Sequence, residues 1–292
     1  MAPSQLSRRP QPFARVLAWF DLIRWKATLV AACYSVATAY VAHGIPAARS
    51  LETFLRAAVI GLLVGYGFAL NDCADAKSDA VGKAYRPIPA GRITLRASAI
   101  LTVSLASAAL CTAAYLGRIA IAYTVGALAL STLYSYSLKR LFCAGHAIVG
   151  ILVGSTFLFS AVPFGVVPPK VWAVSLLSAL FIFAHEILYA VQDEYSDRAA
   201  GISTTATVLG LGGALWLFKI IAALFIVATA VFLATWHISS RSVPFWIACT
   251  LFPTAYEILT LWKQPSRLVI LRNVRLSRYI WLCTILPFIL SR

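Results

Sequence analysis

An all-α, polytopic membrane bundle of about nine helices around a central cavity is the fold this sequence predicts, and three observations predict it. The 292 residues are 61% hydrophobic and only 12% charged, with a mean hydropathy of +0.83, whereas charged residues alone make up roughly a quarter of a soluble domain. Apolar stretches long enough to cross a ~30 Å hydrocarbon layer recur along the whole chain. Lys and Arg collect between those stretches on one side.

Residues 1–26 are polar, basic and rich in Arg and Pro, and read as a cytoplasmic tail and interfacial turn without the pattern of a cleaved signal. Residues 27–292 read as one domain. Spans are expected near 27–43, 54–70, 97–116, 119–137, 145–164, 171–190, 207–235, 244–261 and 276–290. Arg56 opens the second, and the long seventh holds Lys219, which fits a tilted or broken helix. Of the 25 Lys and Arg, eighteen lie on the side of the N-terminus, and six lie on the other: Arg49, Arg56, Arg118, Lys170, Arg241 and Arg292. That asymmetry makes the first side cytoplasmic. The net charge of +15 then describes a surface facing anionic headgroups of the lipid bilayer and anionic substrates. No basic stretch is interleaved with polar readout residues, so nucleic acid is not the expected partner. The six cysteines form no CxxC pair and read as reduced packing residues.

Two short windows concentrate the acids. Asp72, Asp75 and Asp79 stand in NDCADAKSD, and Asp193, Glu194 and Asp197 in QDEYSD, six of the chain's ten carboxylates. Spacings of three and four residues put acids on one helix face, close enough to share a cation. Asn71 adds an amide oxygen beside the first stripe. Magnesium prefers oxygen ligands and is commonly held by one or two carboxylates together with substrate phosphates. Two such faces across a cavity suggest a Mg²⁺-bridged diphosphate. Lys83, Arg86 and Arg92 follow the first window, and Lys139 and Arg140 end YSYSLKR; these cations could grip phosphate oxygens. Each window follows a span, the second and the sixth, as though the chain held two related halves.

At these residues the chain resembles the UbiA superfamily of intramembrane prenyltransferases. NDCADAKSD fits its NDxxDxxxD motif, and RPIPAGRIT its RPIPSGxI(S/T) segment. YAVQDEYSDRAAGISTTA resembles the second motif of its 4-hydroxybenzoate polyprenyltransferase branch, and YSYSLKR its Y(N/S)xxLK stretch. The likeness runs over roughly residues 20–290. It implies that Asn71, Asp72, Asp75 and Asp79 hold one Mg²⁺ and Asp193 and Asp197 another. It further implies that the donor is an isoprenyl diphosphate, that Arg86, Lys139 and Tyr134 face it, and that Arg24 lies near the acceptor end. Gly82, Ala84, Ser203, His146 and Ala27 depart from the family pattern, which leaves the hydrophobic, aromatic or lipid acceptor open.

The chemistry follows from the residues. A neutralised diphosphate leaves as an ion, and the allylic cation left behind must be kept from water. Aromatic faces stabilise such a cation by about 0.5–2 kcal/mol each, and Tyr66, Phe68, Phe157, Phe159 and Tyr189 are the candidates. His185 and Glu186, before the second motif, are candidates for acceptor contact or proton handling. A transferase is expected. A terpene cyclase that quenches the cation internally is the alternative.

Overall fold

The computed structural model describes residues 12–199, 201–236, 238–263 and 265–292. Residues 1–11 of the expected tail lie outside the described residues; the rest of it is not a tail but helix α1 and the turn into α2. Helices run α1 Pro12–Leu22, α2 Trp25–His43, α3 Ile45–Ala48, α4 Leu51–Ala74, α5 Ala76–Gly82, α6 Leu95–Leu116, α7 Arg118–Tyr136, α8 Ala144–Ala161, α9 Pro169–Ala199 and α10 Thr205–Thr235. Next come α11 Val243–Trp246, a π-helical stretch Ile247–Leu251, α12 Phe252–Thr260, α13 Arg267–Cys283 and α14 Ile285–Leu290. No strand occurs among the described residues.

Among the described residues six helical segments are long and apolar enough to cross a membrane: α4, α6, α7, α8 with its 3₁₀ extension to Phe164, α9 and α10. The other three expected spans correspond to α2, to α11 through α12, and to α13 with α14. Interruption explains why the last two fall short. Pro244 and Pro253 sit at the starts of α11 and α12, where a missing N–H costs no helical bond. Two spans also overrun their apolar limits. α9 continues nine residues past 190 and α13 starts nine before 276, because a helix entering water keeps its backbone bonds while its composition turns polar.

Tight turns and small residues set the packing. Gly117 takes φ 98° between α6 and α7, a conformation disfavoured for any residue with a Cβ. Gly210 takes φ 68° inside α10 and kinks it, as the expectation for the seventh span allowed. A Cβ on Gly150 or Gly154 would lie 2.7 or 2.8 Å from the carbonyl oxygens of Ala179 and Ser175, so this small-xxx-small pair lets α8 press directly on α9. Ser50 caps α4, Thr94 caps α6, and Thr204 with Thr207 makes a capping box on α10.

Charges inside the bundle are matched. Arg56 pairs with Glu52 at 2.9 Å, donates to the Phe159 carbonyl at 2.9 Å and lies over the Phe159 ring. The Lys219 ammonium sits 3.7 Å from the Trp216 ring centroid and 5.2 Å from that of Trp262. His185 and Glu257 are both fully buried; His185 Nδ1 donates to the Phe181 carbonyl at 2.8 Å, and Nε2 meets Glu257 Oε2 at 2.9 Å.

Candidate active site

The helix carrying the first window ends inside it. α4 stops at Ala74, Asp75 takes φ −92°, ψ 1°, and α5 begins at Ala76. This corrects the reading of Asp72, Asp75 and Asp79 as one continuous stripe: Asp72 closes α4, Asp75 is the junction, and Asp79 lies on α5. A single guanidinium restores the grouping, because Arg86 Nη1 donates to Asp72 Oδ1 at 3.2 Å and to Asp79 Oδ2 at 2.6 Å. Burial pushes the Asp79 carboxyl up, against the pull of Arg86 and Lys83. Burial also works against the Arg86 charge, but Asp72 and Asp79 outweigh it and raise its pKa.

The second window stays helical. Tyr189, Asp193 and Asp197 succeed one another at four-residue steps on α9 and so share a face. The two windows meet across the bundle through Lys83, whose ammonium donates to Asp193 Oδ2 at 2.6 Å. Backbone proximity makes this possible: a Cβ on Gly82 would lie 2.8 Å from the Ser196 Cβ. Gly82→Leu is therefore expected to part the windows, lowering turnover about tenfold or more while total helicity by circular dichroism stays unchanged.

The turn after α7 supplies a third side. Lys139 donates to Asp75 Oδ1 and, at 3.2 Å, to Asn71 Oδ1, while Asn71 Nδ2 donates to Asp75 Oδ2 at 3.0 Å. A Cβ on Gly145 would stand 2.9 Å from the Lys139 Cα and 3.3 Å from the Tyr134 ring, so α8 holds both residues at this rim. Arg24 enters from the α1–α2 turn with left-handed backbone, φ 48°, donates to Asp72 Oδ1 at 3.1 Å and stacks 4.4 Å from the Phe68 centroid. Its Nη1 is buried with no hydrogen-bond partner among the described residues.

Other expected residues fall elsewhere. Arg140 is exposed and makes no ion pair among the described residues. His185 meets Glu257 rather than Glu186. Glu257 went unremarked in the sequence, although an acid within an apolar span is itself a signal. Phe159 stacks on Tyr123 with centroids 4.1 Å apart, under Arg56, and Tyr66 bonds Thr132 at 2.7 Å. The aromatic interior is instead a cavity of about 20 Å³ lined by Tyr34, Phe157, Phe181, Phe225, Trp281 and Phe288. Phe181 precedes Asp193 by twelve residues of α9, roughly 18 Å at 1.5 Å per residue.

Cations and acids gathered from four segments are the arrangement that the comparisons with known proteins bear on. Residues 29–271 match the UbiA prenyltransferase family. The chain belongs to that family. It is an integral membrane prenyltransferase, similar to the digeranylgeranylglyceryl phosphate synthase of Natronomonas pharaonis, 32% identical over 196 residues, 67% of this chain and 70% of that one. It is also similar to the 4-hydroxybenzoate octaprenyltransferase of Acidovorax ebreus, 31% identical over 68% of this chain and 70% of that one. A UbiA homolog from Archaeoglobus fulgidus, solved bound to GPP and Mg²⁺, shares the fold: TM-score 0.70 at 19% identity, covering 91% of this chain and 98% of that one.

Proposed function

We propose that this UbiA-family chain ionises an isoprenyl diphosphate at the cytoplasmic rim of the bundle and transfers the prenyl group to an aromatic or lipid acceptor. The observation that carries this reading is the Lys83–Asp193 contact of 2.6 Å, which ties the segment just after the first acidic window to the second. The cytoplasmic placement follows from the eighteen-to-six asymmetry of basic residues. Residues 27–292 act as one catalytic domain on this view.

The donor set fits magnesium. Among the described residues no three acidic, His or Cys groups stand close enough to cage a metal alone, and Mg²⁺ habitually takes one or two carboxylates and completes its shell with water and phosphate oxygens. Asn71, Asp72 and Asp75 would hold one ion and Asp193 and Asp197 the other, with Asp79 tied to Arg86 behind them. Such ions, when bound, offset the charge of the departing diphosphate. The protein's own cations do related work: Lys83, Arg86 and Lys139 already point at this space, and on donor binding they exchange aspartate oxygens for phosphate oxygens. Arg24 would then lie between the diphosphate and the acceptor, with Tyr134 and Tyr189 on the walls. The apolar bundle below the rim would keep water from the allylic cation and cover the prenyl chain, each buried CH₂ contributing about 0.8 kcal/mol.

Membranes containing the protein, incubated with Mg²⁺ and labelled geranyl, farnesyl or geranylgeranyl diphosphate, test the proposal. Acceptor-dependent diphosphate release is the expected result. Excess EDTA should reduce it to background, and Mg²⁺ should restore it. Release with a cyclic hydrocarbon and no acceptor would show a cyclase instead, and no release under any condition would refute the transferase reading.

A further inference from the structure

Past Arg198 the chain carries eight Lys and Arg but a single acid, Glu257, and that acid is buried against His185. The cations of this region therefore have no exposed carboxylate nearby in the sequence. Two of them flank α12. Glu257 faces inward to α9, so Phe252 and Leu259, seven residues apart, share the opposite face, where they are 68% and 71% exposed. On the α13 flank, the Arg272 guanidinium lies 5.5 Å from the Tyr256 ring centroid. On the α10 flank, buried Lys219 sets its ammonium against Trp216 and Trp262, which are each more than half exposed.

Neither cation has an ion-pair partner among the described residues. Ring faces attract a cation but carry no counter-charge. The indole N–H groups of Trp216 and Trp262 also have no acceptor among the described residues, whereas that of Trp246 donates to Ser291 Oγ at 2.9 Å. Depth follows from the packing of α13. Phe181 with Trp281 and Tyr189 with Ser277 pair α9 and α13 in opposite directions. Arg272, which precedes Ser277, is therefore level with the part of α9 that holds Asp193 and Asp197, where the apolar spans end. Leu268, one turn further out, is exposed. An apolar side chain beyond the arginine, and a Trp pair across α12, mark the headgroup layer rather than open water.

From this arrangement we propose that the outer face of α12 binds an anionic phospholipid of the leaflet on the side of the acidic windows. Its phosphate lies between Arg272 and the two indole N–H groups, with the Lys219 charge behind the rings, and its acyl chains run along Leu259 and Phe252. A guanidinium fork grips phosphate oxygens in pairs, and a lipid of net negative charge answers two cations where a zwitterionic one does not. Bridging α10 and α13, the phosphate ties down the eighth span, which Pro253 and the π-helical stretch interrupt. The site is on the lipid side of α12, away from the windows, so the inference does not depend on the transferase reading.

Protein in neutral detergent, titrated with phosphatidylglycerol and followed by native mass spectrometry, tests the site. Wild type should hold phosphatidylglycerol more tightly than phosphatidylcholine. Lys219→Gln with Arg272→Gln should weaken that binding about tenfold or more, and Lys219→Arg with Arg272→Lys should keep most of it. Arg118→Gln with Arg241→Gln, which removes the same charge from exposed positions at the opposite membrane face, should leave it unchanged. Phosphatidylglycerol should also raise the unfolding temperature of wild type and of the charge-conserving pair, but not of the Gln pair. Should the Gln pair fail to accumulate, Arg272→Gln alone, at an exposed position, carries the comparison. Undiminished affinity in the Gln variant, an equal loss in the opposite-face control, or phosphatidylcholine held as tightly as phosphatidylglycerol overturns the assignment. Equal stabilisation by soluble glycerol phosphate overturns it too, since a free anion would then suffice. A wild type without prenyl transfer would count against the transferase reading alone, because the lipid measurement needs no turnover.

Discussion

Asp193→Asn is expected to lower kcat by about 10³-fold, the scale on which removal of a preorganised electrostatic contact acts, while the protein still inserts and accumulates. The two halves of that expectation have separate causes. Asp193 supplies a negative oxygen facing the first window, and the isosteric amide keeps the shape but loses the charge that a dication requires. Its side chain is 27% exposed and that of its partner Lys83 is 19% exposed, so the ion pair is partly solvated and its loss should cost no more than about 1 kcal/mol. Asp72 is a less clean probe. It is 4% exposed between Arg24 and Arg86, and its removal would leave two guanidinium groups facing each other, confounding activity with folding. Diphosphate release and unfolding midpoint, measured on the same Asp193→Asn preparation, separate the two effects. Near-normal release would remove Asp193 from the site.

Glu257→Ala should produce the largest loss of stability, about 2–4 kcal/mol, since it empties a buried site and leaves the buried His185 nitrogen without its hydrogen-bond partner. Glu257 and His185 are 0% and 1% exposed, and Glu257 Oε1 has no hydrogen-bond partner among the described residues, so the carboxyl group depends on the His185 contact. Replacing both residues by leucine should return most of the lost stability, since apolar side chains remove the desolvation cost together with the attraction. Detergent-solubilised protein unfolded by heat at fixed pH provides the comparison. A double variant as unstable as Glu257→Ala would show that the pair does more than join α9 to α12.

The fold class was legible because hydropathy reports which residues lie against lipid, and nine apolar stretches all find helical counterparts. What hydropathy could not report was polar helix beyond the membrane. The extension of α9 past Ala190, which carries Asp193 and Asp197, and the early start of α13 at Arg267 both lie there. At the site, residue types and spacing located the acids and Lys139, but the break at Asp75 carries no strong local signal, since neither Gly nor Pro marks it. Contacts between distant segments were beyond spacing altogether. Lys83 with Asp193, His185 with Glu257 and Tyr189 with Ser277 join residues 110, 72 and 88 positions apart. Among the aromatics, Phe157 does line the cavity, whereas Phe159, two residues on, turns to another side of α8 and packs on Arg56 and Tyr123. Sequence alone assigns both simply to the same apolar stretch.

The central claim is that two acidic windows, remote in sequence, hold one diphosphate between them through divalent ions. Crystals grown with Mn²⁺ in place of Mg²⁺ and a non-ionisable prenyl diphosphate analogue test it most directly, through anomalous scattering at the manganese edge. The account predicts two manganese peaks flanking the diphosphate, one against Asp72 and Asp75 and one against Asp193 and Asp197, with Lys83 and Lys139 turned onto phosphate oxygens. Manganese absent from both windows, with the two lysines still on their aspartates and the analogue bound elsewhere, would contradict it.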